Sequence, residues 1–289
     1  MIARTTVAGV APGTRLVDHA KAHLAVVPVD EVGPLIATGA ITIGGRPGRI
    51  ADPVADGDVL AIELAAIPAT ALVPAPMTLA ILHDDDDLLV VDKPAGMHVH
   101  PLGAFRAGTV VNVLLSHAGA RVDHPWAAWR PHPAHRLDRA TSGLLAIAKH
   151  AASHDALRAL FAAGRIHRRY RATVRGELAR DEGTIDAPLA RDPERPYRRA
   201  VVAGGEPAIT HYRVVSREPG GTIVELAPET GRTHQLRAHL ASLGHPIVGD
   251  RLYETGDGSA PAIELRAIEL AFPHPRDGRA VVVRTPDVL

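Results

Sequence analysis

Cysteine is absent from this 289-residue chain, which excludes disulfides and thiolate metal sites and is compatible with the cytosol. Aromatic side chains are scarce: two Trp, four Tyr and three Phe cannot build an extended stacking platform for single-stranded nucleic acid. No apolar run approaches the length that spans a bilayer, and Met1 to Val10 lacks the basic-then-apolar order of a signal peptide. A surplus of one charge is also missing, because Lys plus Arg and Asp plus Glu number 32 each. The expectation is a soluble cytoplasmic protein with no membrane partner and no overall polyanion-binding charge.

What is present is local. His135-Arg136-Leu137-Asp138-Arg139-Ala140-Thr141-Ser142-Gly143 sets one carboxylate between two guanidiniums, just ahead of the apolar run Leu144 to Ala148. An aspartate flanked by arginines is often a solvated ion pair. Here Ser142-Gly143 punctuate and a strand-length apolar run follows, so Asp138 sits on a supported loop before a buried strand. Between Pro131 and Arg180 ten Arg or Lys face three acids, the charge pattern expected of phosphate-backbone contact. The competing reading is a solvated face balanced by acids elsewhere in space.

Residues 1–64 form a separate pattern. Leu16, Val17, Val32, Leu35 and Ile36 suggest short helices, Gly39 to Arg46 a strand with a Gly-Gly turn, and Asp52 to Ile62 a turn and a further strand. Residues 65–79 are predicted to be a linker, since Ala65 to Pro76 holds three prolines, many alanines and no charge. From residue 80 onwards short apolar strands alternate with fewer helices, among them Ser153–Phe161, capped by Ser153, and His234–Leu243. This predicts an α+β fold. The acidic run Asp84 to Asp87 is expected to be a solvated turn, and no metal is assigned to it. Seventeen histidines occur, with His98 near His100 and His132 near His135, but no HExxH or comparable ligand set accompanies them, so no metal is expected. Gly204-Gly205 does not meet a nucleotide-binding pattern.

The HRLDxxTSG stretch resembles the catalytic motif of the RluA family of RNA pseudouridine synthases, and other segments match that family in order. Leu88 to Gly96 is similar to its strand and DKPxG turn, followed by His100-Pro101 and Thr109-Val110-Val111-Asn112. Arg169-Tyr170-Arg171-Ala172 corresponds to its KxYxA segment, Thr230 to Arg237 to TGRxHQLR, and Gly249-Asp250 to the following GD. The resemblance covers about residues 80 to 275. Arg169 replaces the lysine usual before the motif tyrosine, and Leu265-Arg266-Ala267 stands where Leu-His-Ala is common ahead of Phe272-Pro273-His274-Pro275. The layout of residues 1–64 resembles an S4-like RNA-binding domain, although that segment holds five basic and seven acidic groups.

The resemblance implies a pseudouridine-synthase catalytic domain over 80–289, built on a mixed, largely antiparallel sheet with flanking helices. It implies an isomerase that breaks the N-glycosidic bond of a uridine in structured RNA, ribosomal or transfer, and joins C1' to C5 of the same base. No cofactor is required for that reaction. Asp138 is the expected nucleophile or base, adding to the uracil ring or acting at the sugar. A buried carboxylate stays ionised only beside a cation or hydrogen-bond donors. Arg232, after the Gly231 turn and before a helix with Leu236, Leu240 and Leu243 at helical spacing, is the expected charge partner.

Period-two alternation in Tyr170 to Arg175 turns Tyr170, Ala172 and Val174 to one face and Arg169, Arg171 and Arg175 to the other. Tyr170 is therefore expected to face inward, against the target base. Arg136 is suited to fill the gap left when a uridine is turned out of folded RNA, because its planar head can stack and bond phosphate at once. Lys93 and His100 are expected at the entrance, and Arg139, Thr141, Arg169, His234, Gln235 and Arg237 complete the expected RNA contacts. Neither DNA nor a partner subunit is expected, leaving a monomer. The principal rival is a non-catalytic RNA-binding or ribosome-assembly protein on the same scaffold. A sugar-bond hydrolase would want two carboxylates about 5 to 9.5 Å apart, and no second acid suggests itself near Asp138.

Overall fold

The computed structural model describes residues 1–103, 105–254 and 262–286. Its elements run β1 (Ile2–Thr6), α1 (Leu16–His23), α2 (Val29–Ala37), β2 (Ile41–Ile43), β3 (Arg46–Pro47), β4 (Val59–Glu63), β5 (Ala80–Asp84) and β6 (Leu88–Lys93). Next come α3 (Val110–His117), β7 (His132–Pro133), β8 (Ser142–Ala148), α4 (Ala151–Ala162), β9 (His167–Arg175), β10 (Glu182–Asp186) and β11 (Leu189–Arg191). The last are β12 (Arg199–Val201), β13 (Ile209–Glu218), β14 (Gly221–Pro228), α5 (Gln235–Ser242), β15 (Leu265–Pro273) and β16 (Ala280–Arg284). The fold is α+β, as the strand-rich pattern predicts. Two compact units are present, residues 1–79 with 98–133 and 147–154, and the remainder from residue 80 onwards.

In the first unit the sheet order is β1-β4-β2-β3, and Leu16, Leu24, Ile36, Ile41, Leu60 and Ile62 are buried in one core with Leu115 and Trp126. Residues 65–79 are not a free linker. Ile67 and Leu72 pack on that core, Leu72 N donates to Val26 O at 2.8 Å, and Asn112 Nδ2 donates to Val73 O at 2.8 Å. A chargeless proline-alanine stretch supplies apolar surface, and burying it outweighs leaving it extended in water. Thr109 and Asn112 also form a reciprocal cap at the start of α3. Arg130 donates to the carbonyls of Lys21, Leu24, Ala25 and Val27, which satisfies oxygens left open at and beyond the end of α1. Burial lowers its guanidinium to about 10.

The second unit is built on a sheet of order β10-β13-β14-β9-β15-β8-β6-β5, with β16 beside β15. β15 pairs with β8 in parallel, whereas β10 with β13, β13 with β14, β14 with β9, β9 with β15, β15 with β16 and β5 with β6 pair antiparallel. Buried on both faces, β8 reads as a continuous apolar run. The close approach of β15 requires Gly143, whose φ is +107° and whose added Cβ would lie 2.2 Å from Ala267 O. β9 alternates as its sequence predicts, with Tyr170, Ala172 and Val174 buried. On its other face Arg169 pairs with Glu269 at 3.2 Å and with Glu225 at 3.7 Å, and Arg171 pairs with Glu225 at 2.9 Å.

Candidate active site

Three pieces of the second unit line one cavity of about 100 Å³: the loop before β8, the buried face of β9, and the turn between β14 and α5 with the first turn of that helix. Arg136, Asp138, Thr141, Tyr170, Arg232 and Arg237 all reach it. The loop is held from behind. Lys93 is fully buried, and its Nζ donates to Pro94 O, Met97 O and Arg139 O at 3.0, 2.9 and 3.2 Å. Gly96 N adds a bond to the same Arg139 carbonyl at 2.8 Å, and Thr141 N donates to Asp138 O at 3.1 Å. Lys93 therefore does not line an entrance; it anchors the peptide next to Asp138. Burial pushes its ammonium down to about 8, against the opposing charges of Asp138 and Asp92.

Asp138 Oδ2 accepts from Arg237 Nη1 at 3.1 Å. The same guanidinium donates from Nε and Nη2 to Asp250 Oδ2 and Oδ1, both at 2.7 Å, and the ring of Tyr253 lies 5.2 Å from it. Asp250 is buried, so its fork to Arg237 fixes the third donor on Asp138. Burial alone would lower this guanidinium, but bonding to Asp250 and the charges of Asp250 and Asp138 raise it above its ordinary value. The partner expected from Arg232 is thus supplied by Arg237. Arg232 binds Glu206 at 2.9 Å and Pro207 O at 3.0 Å, because it precedes α5 and its side chain leaves the helix end rather than following the helix face.

His234 holds the start of α5 in a left-handed conformation, φ +56°, which for a side-chain-bearing residue costs on the order of 1 kcal/mol or more. Its Nδ1 meets Tyr253 Oη at 3.2 Å and its Nε2 lies 3.9 Å from Asp138 Oδ2. Burial lowers its pKa below the ordinary histidine value, with the Asp138 charge acting against the shift. Gln235 is buried and fully engaged: Oε1 accepts from Arg232 N and Thr230 Oγ1, and Nε2 donates to Ile209 O and Thr210 Oγ1. It shapes the turn instead of offering groups to RNA.

Among the other expected contacts, Thr141 is buried against the cavity and Arg136 stands exposed at its edge. Arg139 is exposed and contributes its carbonyl to the Lys93 anchor. Arg169 lies on the opposite face of β9 from Tyr170, tied to two glutamates. His100 belongs to the first unit and does not line the cavity. Tyr170 is buried in the cavity wall, and burial is the main cause of its raised hydroxyl pKa, with the charge of Arg168 lowering it and that of Asp138 raising it.

Arg168, which lines the cavity, and Asp250, which holds Arg237, are not among the residues expected at the site from sequence. Asp250 was visible only as part of a motif. Arg168 was legible, since period two puts it on the face of Tyr170 and since it, not Arg169, stands two residues before Tyr170, at the first position of KxYxA. Asp85, Asp87 and His274 bring ligand-type atoms within 4.8 Å of one another. Their oxygens already take bonds from His83, His274, Arg279 and Arg276, so the group is an ion-pair network, not the open solvated turn expected of this acidic run.

Residues 87–242 match the family described as RNA pseudouridylate synthase. The chain is 36% identical over 259 residues to the uncharacterized RNA pseudouridine synthase YlyB of Bacillus subtilis strain 168, covering 89% of this chain and 84% of that protein. It is 40% identical over 219 residues to the ribosomal large subunit pseudouridine synthase D of Zymomonas mobilis subsp. mobilis, covering 72% of this chain and 69% of that one. Among solved structures, human RNA pseudouridylate synthase domain containing 1 superposes with a TM-score of 0.63 at 27% identity, over 74% of this chain and 85% of the other. A carboxylate held by a buried guanidinium beside a buried tyrosine thus coincides with similarity along most of the sequence, and the chain belongs to the RNA pseudouridylate synthase family, as an isomerase converting uridine in RNA to pseudouridine.

Proposed function

We propose that the chain isomerises uridine in large-subunit ribosomal RNA, with Asp138 as the reacting carboxylate, Arg237 as its charge partner, Tyr170 against the base and Arg136 in the gap left by the everted nucleotide. The observation that carries the assignment is the chain Asp138–Arg237–Asp250: a carboxylate half-open to a cavity, hydrogen-bonded to a guanidinium that a fully buried second carboxylate fixes in place. A sugar-bond hydrolase would need a second carboxylate facing the substrate, whereas Asp250 is spent on the arginine fork. The choice of ribosomal over transfer RNA is supported by the several relatives named as ribosomal large subunit pseudouridine synthase D.

Arg136 is favoured for the gap-filling role because it is exposed beside Asp138 and has no carboxylate partner among the described residues. In the same reading the enzyme is a cytoplasmic monomer, and residues 1–64 are an S4-like appendage whose acidic balance limits its own grip on RNA. The test is to map pseudouridine across ribosomal and transfer RNA from cells with and without this protein. Loss of one or more large-subunit positions, restored by the wild type and not by Asp138→Asn, is the expected result. Loss confined to transfer RNA would move the substrate assignment, and an unchanged map in both RNAs would favour the non-catalytic rival.

A further inference from the structure

The cavity that holds Asp138 contains a second fixed cation. Arg168 projects from the same face of β9 as Tyr170 and lines the same cavity. Its Nη2 donates to Pro228 O at 3.3 Å and Thr230 O at 3.0 Å, and its guanidinium lies 5.6 Å from the Phe161 ring centre. Carbonyls and an aromatic face orient a guanidinium without neutralising it. No carboxylate pairs with Arg168 among the described residues, in contrast to Arg232, Arg237, Arg169 and Arg171. Its Nε is buried and makes no hydrogen bond. Nη1 runs past Gly231 so closely that an added Cβ would come within 3.1 Å of it. The charge is felt at the Tyr170 hydroxyl, where it opposes that of Asp138.

An unneutralised, pre-oriented cation in a cavity that already supplies Asp138 with its own partner calls for an anion that arises during the reaction. We propose that Arg168 is a catalytic residue that stabilises the detached uracil anion, the species formed when the base leaves C1' and before it returns through C5. The inference rests on the assignment of Asp138. In the scission step the C1'–N1 bond breaks and its electron pair stays on the base, giving a uracil monoanion with charge shared among N1 and the two carbonyl oxygens. The sugar is balanced by Asp138, whose oxygen bonds C1' or takes the C2' proton. By either route one negative charge passes from the carboxylate to the base, away from Arg237 and towards Arg168. In the return step C5 bonds C1', the carboxylate is restored, C5 loses its proton and N1 gains one. Charge and atoms balance, and no further reactant is needed.

The experiment compares Arg168→Met and Arg168→Lys with the wild type in single-turnover scission, on a target RNA carrying either uridine or 5-fluorouridine. Fluorine withdraws electrons and makes the base a better leaving anion, so it needs less help from a cation. Scission is read as loss of N-linked nucleoside after digestion, and RNA affinity is measured on the same variants. Arg168→Met is expected to slow the uridine reaction about a hundredfold, as removal of an oxyanion donor does, with RNA affinity within about threefold of wild type. Its defect on fluorouridine should be at least fivefold smaller, and Arg168→Lys should recover part of the rate. Gly231→Ala, which crowds Nη1 without removing charge, should lower the uridine rate in the same base-dependent way.

Equal losses on both bases, or a loss expressed as weaker RNA binding, would make Arg168 a structural or phosphate-contact residue and overturn the proposal. So would a rate within twofold of wild type. Failure of the Asp138 assignment is read separately, as activity persisting in Asp138→Asn.

Discussion

At the scale of single residues, the site is one carboxylate and the cations arranged around it. Asp138 and Tyr170 are legible in the sequence because each belongs to a contiguous pattern, a turn feeding an apolar run and a period-two strand. The partner of Asp138 is not legible in that way. Arg232 and Arg237 both sit near the start of α5, and the choice depends on helix phase. Once His234 starts the helix in a left-handed conformation, Arg237, three residues on, shares its face. Arg237→Lys keeps a positive charge, but one ammonium cannot reproduce the fork to Asp250 and still reach Asp138. It is expected to lower single-turnover isomerisation about a hundredfold at nearly unchanged RNA affinity; a rate within threefold of wild type would remove the fork from the account.

Lys93 gives a pH signature. Its folded pKa of about 8 lies below the ordinary lysine value of 10.5, so between those values the unfolded chain binds more protons than the folded one. Stability from this group therefore rises as pH rises through that window. Relative to Lys93→Met, the wild type should gain up to about 3 kcal/mol of unfolding free energy between pH 7.5 and 10.5, at about 1.4 kcal/mol for each of the roughly two pH units over which the two states differ by a full proton. Paired denaturant titrations at the two pH values check this, and a gap that stays constant or narrows counts against it.

At the scale of elements, the local patterns carry further than the boundaries. The alternation of β9 and the apolar run of β8 appear where the sequence puts them, whereas α4 starts at Ala151, leaving Ser153 inside its first turn instead of capping it. What sequence could not show is which strand lies beside β8. The parallel neighbour β15 begins more than a hundred residues later, and its close approach explains Gly143. Gly143→Ala would combine an unfavourable φ of +107° with a Cβ driven into the Ala267 backbone. Neither can relax without parting the two strands, so the variant is expected to lose on the order of 3 to 5 kcal/mol. Urea unfolding measures it; a loss under about 1 kcal/mol would mean that this crossing is not as tight as described.

At the scale of the whole molecule, the sequence correctly suggests an α+β enzyme but divides the chain too simply. Residues 98–133 and 147–154 group with the N-terminal 79 residues, and such long-range grouping has no local signature. Charge behaves similarly. The basic stretch from Pro131 to Arg180 loses much of its apparent surplus once Arg169, Arg171 and Arg175 are paired with glutamates on other elements. Arg136, Arg139, Arg158, Arg165 and Arg180 remain exposed without a carboxylate partner among the described residues. If phosphate contact is confined to these five guanidiniums, the slope of log affinity for RNA against log salt should be no steeper than about −4. A salt titration giving a slope near −8 would show phosphate contacts far beyond this set.

The most direct test of the central claim is tritium release from 5-tritiated uridine in target RNA by Asp138→Asn, a substitution that keeps the side-chain shape and removes the charge. RNA binding close to wild type and no release above background are expected. Substantial release by the variant would contradict that claim, because the carboxylate held by Arg237 would then not be the group that acts on the nucleoside.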